Sequence, residues 1–268
     1  MTVLQGILLG LLQGLTEFLP VSSSGHLALA EHFFGIRSPG VTFEVFVHFG
    51  TAMAVVLFFR GRIASILLAL ARCVVRLKYD AAEVRLALHL ILATVPAAAV
   101  GYFLAPRIEA VFASPVLVSI LLMVTGFILW FSGKLFPGTK ARGTWSDAVV
   151  IGVAQALAIL PGISRSASTL TAGLAVGLER RAAAEFAFLL SVPVIFGAAA
   201  ASLGDALKAG LTGGPALGLG TLAAFLSALP AIALLLRAVT AGKLANFAYY
   251  CWAVGALSFA VILLGHRT

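Results

Sequence analysis

Continuous apolar runs of roughly 20 residues, each long enough to cross a bilayer as a helix, leave this chain few possible folds. They are Val41–Phe59, Leu86–Leu104, Pro115–Phe131, Phe186–Leu203, Pro215–Leu236 and Phe247–Leu264. Because of them, only 10% of the 268 residues are charged and 61% are hydrophobic, where a soluble domain carries about 25% charged residues. No soluble fold of this size hides so much apolar surface. In lipid, every backbone polar group must be satisfied within the segment, which helices do. The runs are continuous rather than alternating, which argues against a transmembrane barrel. The sequence therefore predicts an all-α, polytopic helical membrane protein with six full spans.

Two further apolar segments are too short to span and are broken by proline. Met1–Leu19 stops at Pro20, and Leu27–Gly35 follows a serine-rich loop. Ala148–Leu160 stops at Pro161, and Ser168–Leu178 follows a second such loop. Each reads as two half-helices and a turn, a re-entrant helical hairpin. The N-terminal run lacks a basic region and is interrupted by Gln5, Gln13 and Glu17, so it is expected to remain as a helix rather than act as a cleaved signal. Ile63–Val75 carries Arg72 and precedes Arg76 and Lys78, which fits an interfacial helix.

The net charge of +8 suits cytoplasmic loops and anionic lipid heads better than nucleic acid, which is not expected as a partner. Placing Arg60, Arg62, Arg72, Arg76, Lys78 and Arg85 in the cytoplasm, and alternating through the spans, puts Lys134, Lys140, Arg142, Arg180, Arg181, Arg237 and Lys243 on the same side. Arg37, Arg107, Lys208 and Arg267 fall outside. Cys73 and Cys251 sit in apolar runs far apart and read as inert packing residues without a disulfide.

The two hairpins resemble each other. Gln13 and Gln155 head them, Gly10 and Gly152 precede, and Ser22 and Ser164 follow at equal distance. Glu44 in Phe43–Phe46 has a counterpart in Glu185. With the charge topology this gives an inverted-topology repeat, residues 1–142 and 143–268, whose interface is where sites are built from broken helices.

The polar residues concentrate in these hairpins. Gln13 and Glu17 are four apart and share a helix face. A carboxylate in an apolar segment costs about 2.5–3.5 kcal/mol on insertion scales and so needs a partner or water. Oxygens on one face suit a hard divalent cation or a general base. Ser22, Ser23 and Ser24, followed by Gly25 and His26, exceed what helix capping requires. A serine beside an imidazole and a carboxylate has the parts of a nucleophile, and a helix N-terminus offers N–H groups to an anion.

In the second hairpin Arg165 is the single charge between Ala148 and Leu178, and Arg grips phosphate oxygens bidentately. Ser164, Ser166, Ser168 and Thr169 surround it. A purely structural pair with Glu17 is the alternative reading. Glu44 and His48, four apart, read either as support for the site or as a polar pair at a helix start. Glu185 is expected to pair with Arg181. His32, His89 and His266 have no company in sequence.

At these residues the sequence resembles the undecaprenyl-diphosphate phosphatases associated with bacitracin resistance. One family motif is Gln13 to Glu17 running into Leu19–His26; the other is Pro161–Thr169. The resemblance extends through Thr42–Val45 and Glu185–Leu190. It implies a bacterial inner-membrane hydrolase that removes the terminal phosphate of a polyprenyl diphosphate and returns the carrier to peptidoglycan synthesis. It implies an outward-facing site, a divalent cation (Mg²⁺ or Ca²⁺) and homodimers. Carried over residue by residue, Glu17, Ser23, His26 and Arg165 are catalytic. Ser22, Ser24, Ser164, Ser166 and Thr169 bind substrate, and Gln13 with Glu17 holds the metal. The nucleophile stays open between Ser23 and water. Gln13 stands where some members carry Glu, which removes one negative charge. From the residues alone, a polyprenyl-phosphate transporter or flippase fits an inverted repeat equally well; phosphate release in detergent separates the two.

Overall fold

The computed structural model describes residues 1–36, 41–135, 138–208 and 214–265. Among them the regular elements are helices: α1 (Val3–Phe18), α2 (Ser23–Phe34), α3 (Val41–Phe58), α4 (Arg60–Val74), α5 (Ala81–Phe103), α6 (Ala105–Phe112), α7 (Pro115–Ser132), α8 (Trp145–Leu157), α9 (Arg165–Ala175), α10 (Arg180–Lys208), α11 (Gly214–Thr240) and α12 (Asn246–Gly265). Helices α5, α7, α10, α11 and α12 are each long and apolar enough to cross a membrane. Helices α3 and α4, the expected span Val41–Phe59 and the expected interfacial helix Ile63–Val75, pass that test only as a pair, bent by 82°, so the described residues give five spans, or six if that pair is one. Arg60 and Arg62 begin α4 at that bend. The short α6 is an addition to the elements expected from sequence. Arg37, His266 and Arg267 lie outside the described residues, as does the side chain of Lys208.

The apolar surface is arranged inside out. On α1, Leu4, Leu8, Leu11 and Leu15 are exposed, a stripe at helical spacing that suits contact with lipid. The opposite stripe is made of small residues. Gly6, Gly10 and Gly14 lie against Ala216, Gly220 and Ala224 of α11, backbone to backbone. A Cβ on Gly6 would stand 2.5 Å from the Ala216 carbonyl oxygen, and one on Gly10 would overlap the carbonyl of Gly220. Lipid tails are as apolar as leucine, so helices here associate through such close packing rather than a hydrophobic drive. The consequence for function is positional. The stripe continues into Gln13 and Glu17, so docking α1 on α11 takes both polar residues away from lipid; Gln13 is 0% and Glu17 8% exposed.

In the second half, α8 docks on α5, where Gly152 meets Ala93. Gln155 is buried there too and donates through Nε2 to the Ala93 carbonyl at 3.1 Å. Unlike Gln13, it therefore bonds to a backbone carbonyl and not to a site carboxylate. Cys73 and Cys251 are both free thiols, as expected.

Candidate active site

Pro20 stops α1, whereas α8 ends at Leu157, three residues short of the end expected before Pro161. The chain leaves α1 at Leu19-Pro20 and re-enters a helix at Ser23. It leaves α8 at Leu157 and re-enters at Arg165. The two turns touch. A Cβ on Gly25 would lie 2.9 Å from the Gly162 Cα. Gly162 itself has φ +99°, and a Cβ there would lie 2.6 Å from the Val118 carbonyl oxygen, so only glycine fits.

Ser22 fastens the turns together. Its hydroxyl accepts from Gly25 N at 3.3 Å, capping α2, and from Gly162 N at 3.1 Å across the interface. These bonds hold Ser22 at φ 67°, a conformation that costs a non-glycine residue of order 1–3 kcal/mol. Thr125 of α7 clamps the second turn from behind. It donates to the Gly162 carbonyl at 2.7 Å and accepts from Ser164 N at 2.9 Å. Sequence reasoning misses Thr125, which is one of three buried hydroxyl residues, with Ser119 and Ser132, along the apolar α7.

At this junction Glu17 is the hub. Its Oε1 accepts from Arg165 Nη2 at 2.5 Å. Its Oε2 accepts from Ser23 Oγ at 2.5 Å and from Gln13 Nε2 at 2.9 Å. His48 Nε2 stands 3.5 Å from the same Oε2, and His48 Nδ1 donates to the Glu44 carbonyl at 2.7 Å. The Glu44–His48 pair thus belongs to the site. The carboxylate has one neutral hydroxyl, one amide and one permanent cation around it, each from a different turn of helix. Gln13 Oε1 is buried and has no hydrogen-bond partner.

The hub opens on a cavity of about 340 Å³. Glu17, Ser23, Glu44, His48 and Arg165 line it, with Ser22, Ser24 and Ser164 at the two turns. Val45, Ile159, Ile163, Val194 and Ile195 make the remaining wall apolar. Both α2 and α9 begin at this cavity, so two positive helix ends face it.

Three sequence-predicted residues sit differently. His26 is turned away from Ser23. Its Nδ1 donates to the Ser22 carbonyl at 2.8 Å, and its Nε2 lies 2.9 Å from the Tyr250 hydroxyl, the two rings stacked at 5.6 Å. Ser166 reaches the Leu19 carbonyl at 3.3 Å and Ser164 Oγ at 3.1 Å. Thr169 donates to the Arg165 carbonyl at 2.9 Å. None of the three lines the cavity, and neither does Gln13, which reaches the site only through its bond to Glu17. Sequence reasoning misses Tyr250 as well: beside Tyr249 at the start of an apolar span it reads as an interfacial aromatic.

Fold and site together define a class: a polytopic helical membrane protein with an acid–hydroxyl–guanidinium cluster between two broken helices. Comparison with known proteins is specific. The family described as Bacitracin resistance protein BacA matches residues 6–257. An undecaprenyl-diphosphatase of Desulforapulum autotrophicum is 43% identical over 270 residues, covering 96% of this chain and 98% of that protein. One of Syntrophotalea carbinolica is 45% identical over 267 residues, covering 97% and 99%. One of Halothermothrix orenii is 40% identical over 269 residues, covering 99% of both. The chain belongs to the BacA bacitracin resistance family.

Proposed function

We propose that this chain hydrolyses undecaprenyl diphosphate to undecaprenyl phosphate and inorganic phosphate, an activity that serves cell-wall carrier recycling and bacitracin resistance. The relatives carry that activity in their names. The observation that carries the chemistry is the Ser23 hydroxyl donating to Glu17 Oε2 at 2.5 Å, with Arg165 on the other oxygen.

In this reading the diphosphate enters the cavity with its tail among the apolar wall residues. Arg165 and the two helix ends hold the phosphates and stabilise the charge that builds in the transition state. Ser23 Oγ attacks the terminal phosphorus, its proton passes to Glu17, and the bond to the bridging oxygen breaks, releasing undecaprenyl phosphate. Glu17 gives its proton to that leaving group. Water then attacks the phosphoserine, its proton returns through Glu17 to Ser23 Oγ, and phosphate leaves. His26 acts through position: its bonds to the Ser22 carbonyl and Tyr250 fix the start of α2.

Among the described residues, no three His, Cys, Asp or Glu side chains are grouped to cage a metal. That donor set still fits Mg²⁺ or Ca²⁺ bound through one or two carboxylates and the substrate's own phosphates. Glu17 and Glu44, which line the cavity, would hold it; Gln13, behind the wall beside Glu17, would add its partnerless Oε1 only if its side chain turned toward the ion. Such an ion supplies Lewis-acid polarisation of the phosphoryl oxygens.

The two-half organisation at residues 1–142 and 143–268 is proposed with it, supported by α1 docking on α11 as α8 docks on α5. The distribution of Lys and Arg supports placement in the bacterial inner membrane with the cavity facing outward. Homodimers are proposed on the resemblance, and light scattering in detergent tests them.

The deciding experiment is phosphate release from undecaprenyl diphosphate by purified protein in detergent. Turnover by wild type and none by Ser23→Ala or Arg165→Ala supports the hydrolase. Binding without release would favour a carrier. Phosphoserine trapped at Ser23 supports the covalent route, whereas wild-type release by Ser23→Ala would leave water as the nucleophile.

A further inference from the structure

A second cavity, of about 290 Å³, lies at the other end of α10. On that helix Arg181, Glu185 and Leu189 line it, while Ala198 and Ala199 line the cavity described above. At 1.5 Å rise per residue, Arg181 and Ala198 are about 25 Å apart. Three other elements close it: the start of α5 (Arg85, His89), the start of α4 (Arg62) and the segment before α8 (Arg142, Gly143). That segment is pinned in place, since Lys140 N donates to the Gly177 carbonyl and Glu179 N donates to the Lys140 carbonyl.

The charges in this cavity are unbalanced. Arg62 is neutralised: it donates to Glu83 and, through Nε, to Glu185 at 2.5 Å. Glu185 therefore pairs across helices with Arg62, not with Arg181 as its own sequence neighbourhood suggests. This leaves Arg85, Arg142 and Arg181 without an ion pair among the described residues. They share the cavity with one further carboxylate, Glu179. All three are solvent-exposed, and what sets them apart is their convergence on one cavity.

A second observation is independent of charge. His89 lines the same cavity, is 3% exposed, and its Nε2 has no hydrogen-bond partner. Its ring is fixed edge-on against Trp145 at 4.5 Å between centroids. Buried polar nitrogens are almost always paired, and this orphan belongs to a residue of the cavity wall. Three guanidinium groups without ion pairs around one space suit a small, multiply charged oxyanion. The first turns of α5 and α10 add positive helix ends to the same wall.

We infer that this cavity is a binding site for a phosphate group, separate from the hydrolytic cavity and at the opposite end of α10. The ligand chemistry is a phosphate oxyanion, supplied either as free inorganic phosphate or as the head of an anionic phospholipid. Leu86, Phe186 and Leu189 on one wall are compatible with acyl chains.

The test counts phosphate sites. Equilibrium dialysis with radiolabelled inorganic phosphate, at constant ionic strength, is run on the full chain in zwitterionic detergent. The background is Glu17→Gln with Arg165→Gln, which removes the guanidinium of the hydrolytic cavity. One bound phosphate per chain is expected, weakened at least tenfold by adding Arg85→Gln and Arg142→Gln. A lipid arm measures phosphatidylglycerol retained after delipidation from phosphatidylcholine nanodiscs. If the natural ligand is a lipid head, retention falls in the Arg85→Gln, Arg142→Gln protein while free phosphate binds weakly to both. Folding is checked by phosphate release from undecaprenyl diphosphate, which Arg85→Gln with Arg142→Gln in the otherwise wild-type chain leaves unchanged. Should that pair prevent folding, Arg181→Gln alone provides the same readouts. Equal phosphate binding and equal lipid retention with and without the arginines overturns the site.

Discussion

Arg165 Nη2 donates to Glu17 Oε1 at 2.5 Å across 148 residues of sequence. Their side chains are 18% and 5% exposed. One hairpin supplies a carboxylate that lipid would not tolerate alone, and the other supplies the cation that balances it. The site exists because the two turns are packed together.

Stability and activity should therefore separate at this pair. Arg165→Ala leaves a buried carboxylate uncompensated, which costs about 3–5 kcal/mol. Glu17→Gln combined with Arg165→Gln removes both charges and should recover most of the lost thermal stability, measured by unfolding in detergent. Neither protein should release phosphate. Glu17→Gln alone should lower kcat roughly 100- to 10,000-fold, the range for a lost general base. Wild-type stability of Arg165→Ala would show that the pair is not buried as described.

The packing of α1 on α11 gives a second prediction. Gly10→Ala forces a methyl into the Gly220 carbonyl and should destabilise by about 1–3 kcal/mol, the usual cost of overpacking. Activity should fall with it, because the same helix carries Gln13 and Glu17. Leu8→Val, on the lipid-facing stripe, should change stability by no more than about 0.5 kcal/mol. Equal melting temperatures for the two variants would refute the packing argument.

Tyr250 should behave as a positioning residue. Tyr250→Phe removes one hydrogen bond to His26 Nε2, worth about 0.5–1.5 kcal/mol. The expected result is a two- to tenfold loss in kcat with KM nearly unchanged. A loss as large as that of Ser23→Ala would instead give the His26–Tyr250 pair a direct part in the chemistry.

Gln13 is the place to test the metal. Replacing it with Glu adds a charge beside Glu17 and should lower the Mg²⁺ concentration for half-maximal activity on the order of tenfold, since opposite charges at this range interact by several kcal/mol at an effective dielectric near 20. Titrating chelated protein with Mg²⁺ reads this directly. An unchanged midpoint would remove Gln13 from the metal's surroundings.

Much of the site is legible in the amino-acid sequence. Gln13, Glu17, Ser23 and Arg165 stand out as polar residues in apolar segments, and the fold gathers them. The Glu44–His48 pair is ambiguous at helix spacing, and only the bend of the chain brings His48 to 3.5 Å from Glu17. Ser166 and Thr169 carry the right chemistry but spend their hydroxyls on the carbonyls of Leu19 and Arg165.

The sequence by itself determined the helical membrane class, the run of spans and the two broken hairpins. Those depend on hydropathy and on local backbone rules, which are written residue by residue. Tertiary structure alone decided the partners. His26 chose Tyr250 over Ser23, and Glu185 chose Arg62 over Arg181. A partner depends on the azimuth at which each helix docks, and that is set by backbone contacts such as Gly10 on Gly220 and Gly25 on Gly162. These contacts join segments more than a hundred residues apart, where local pattern carries no information.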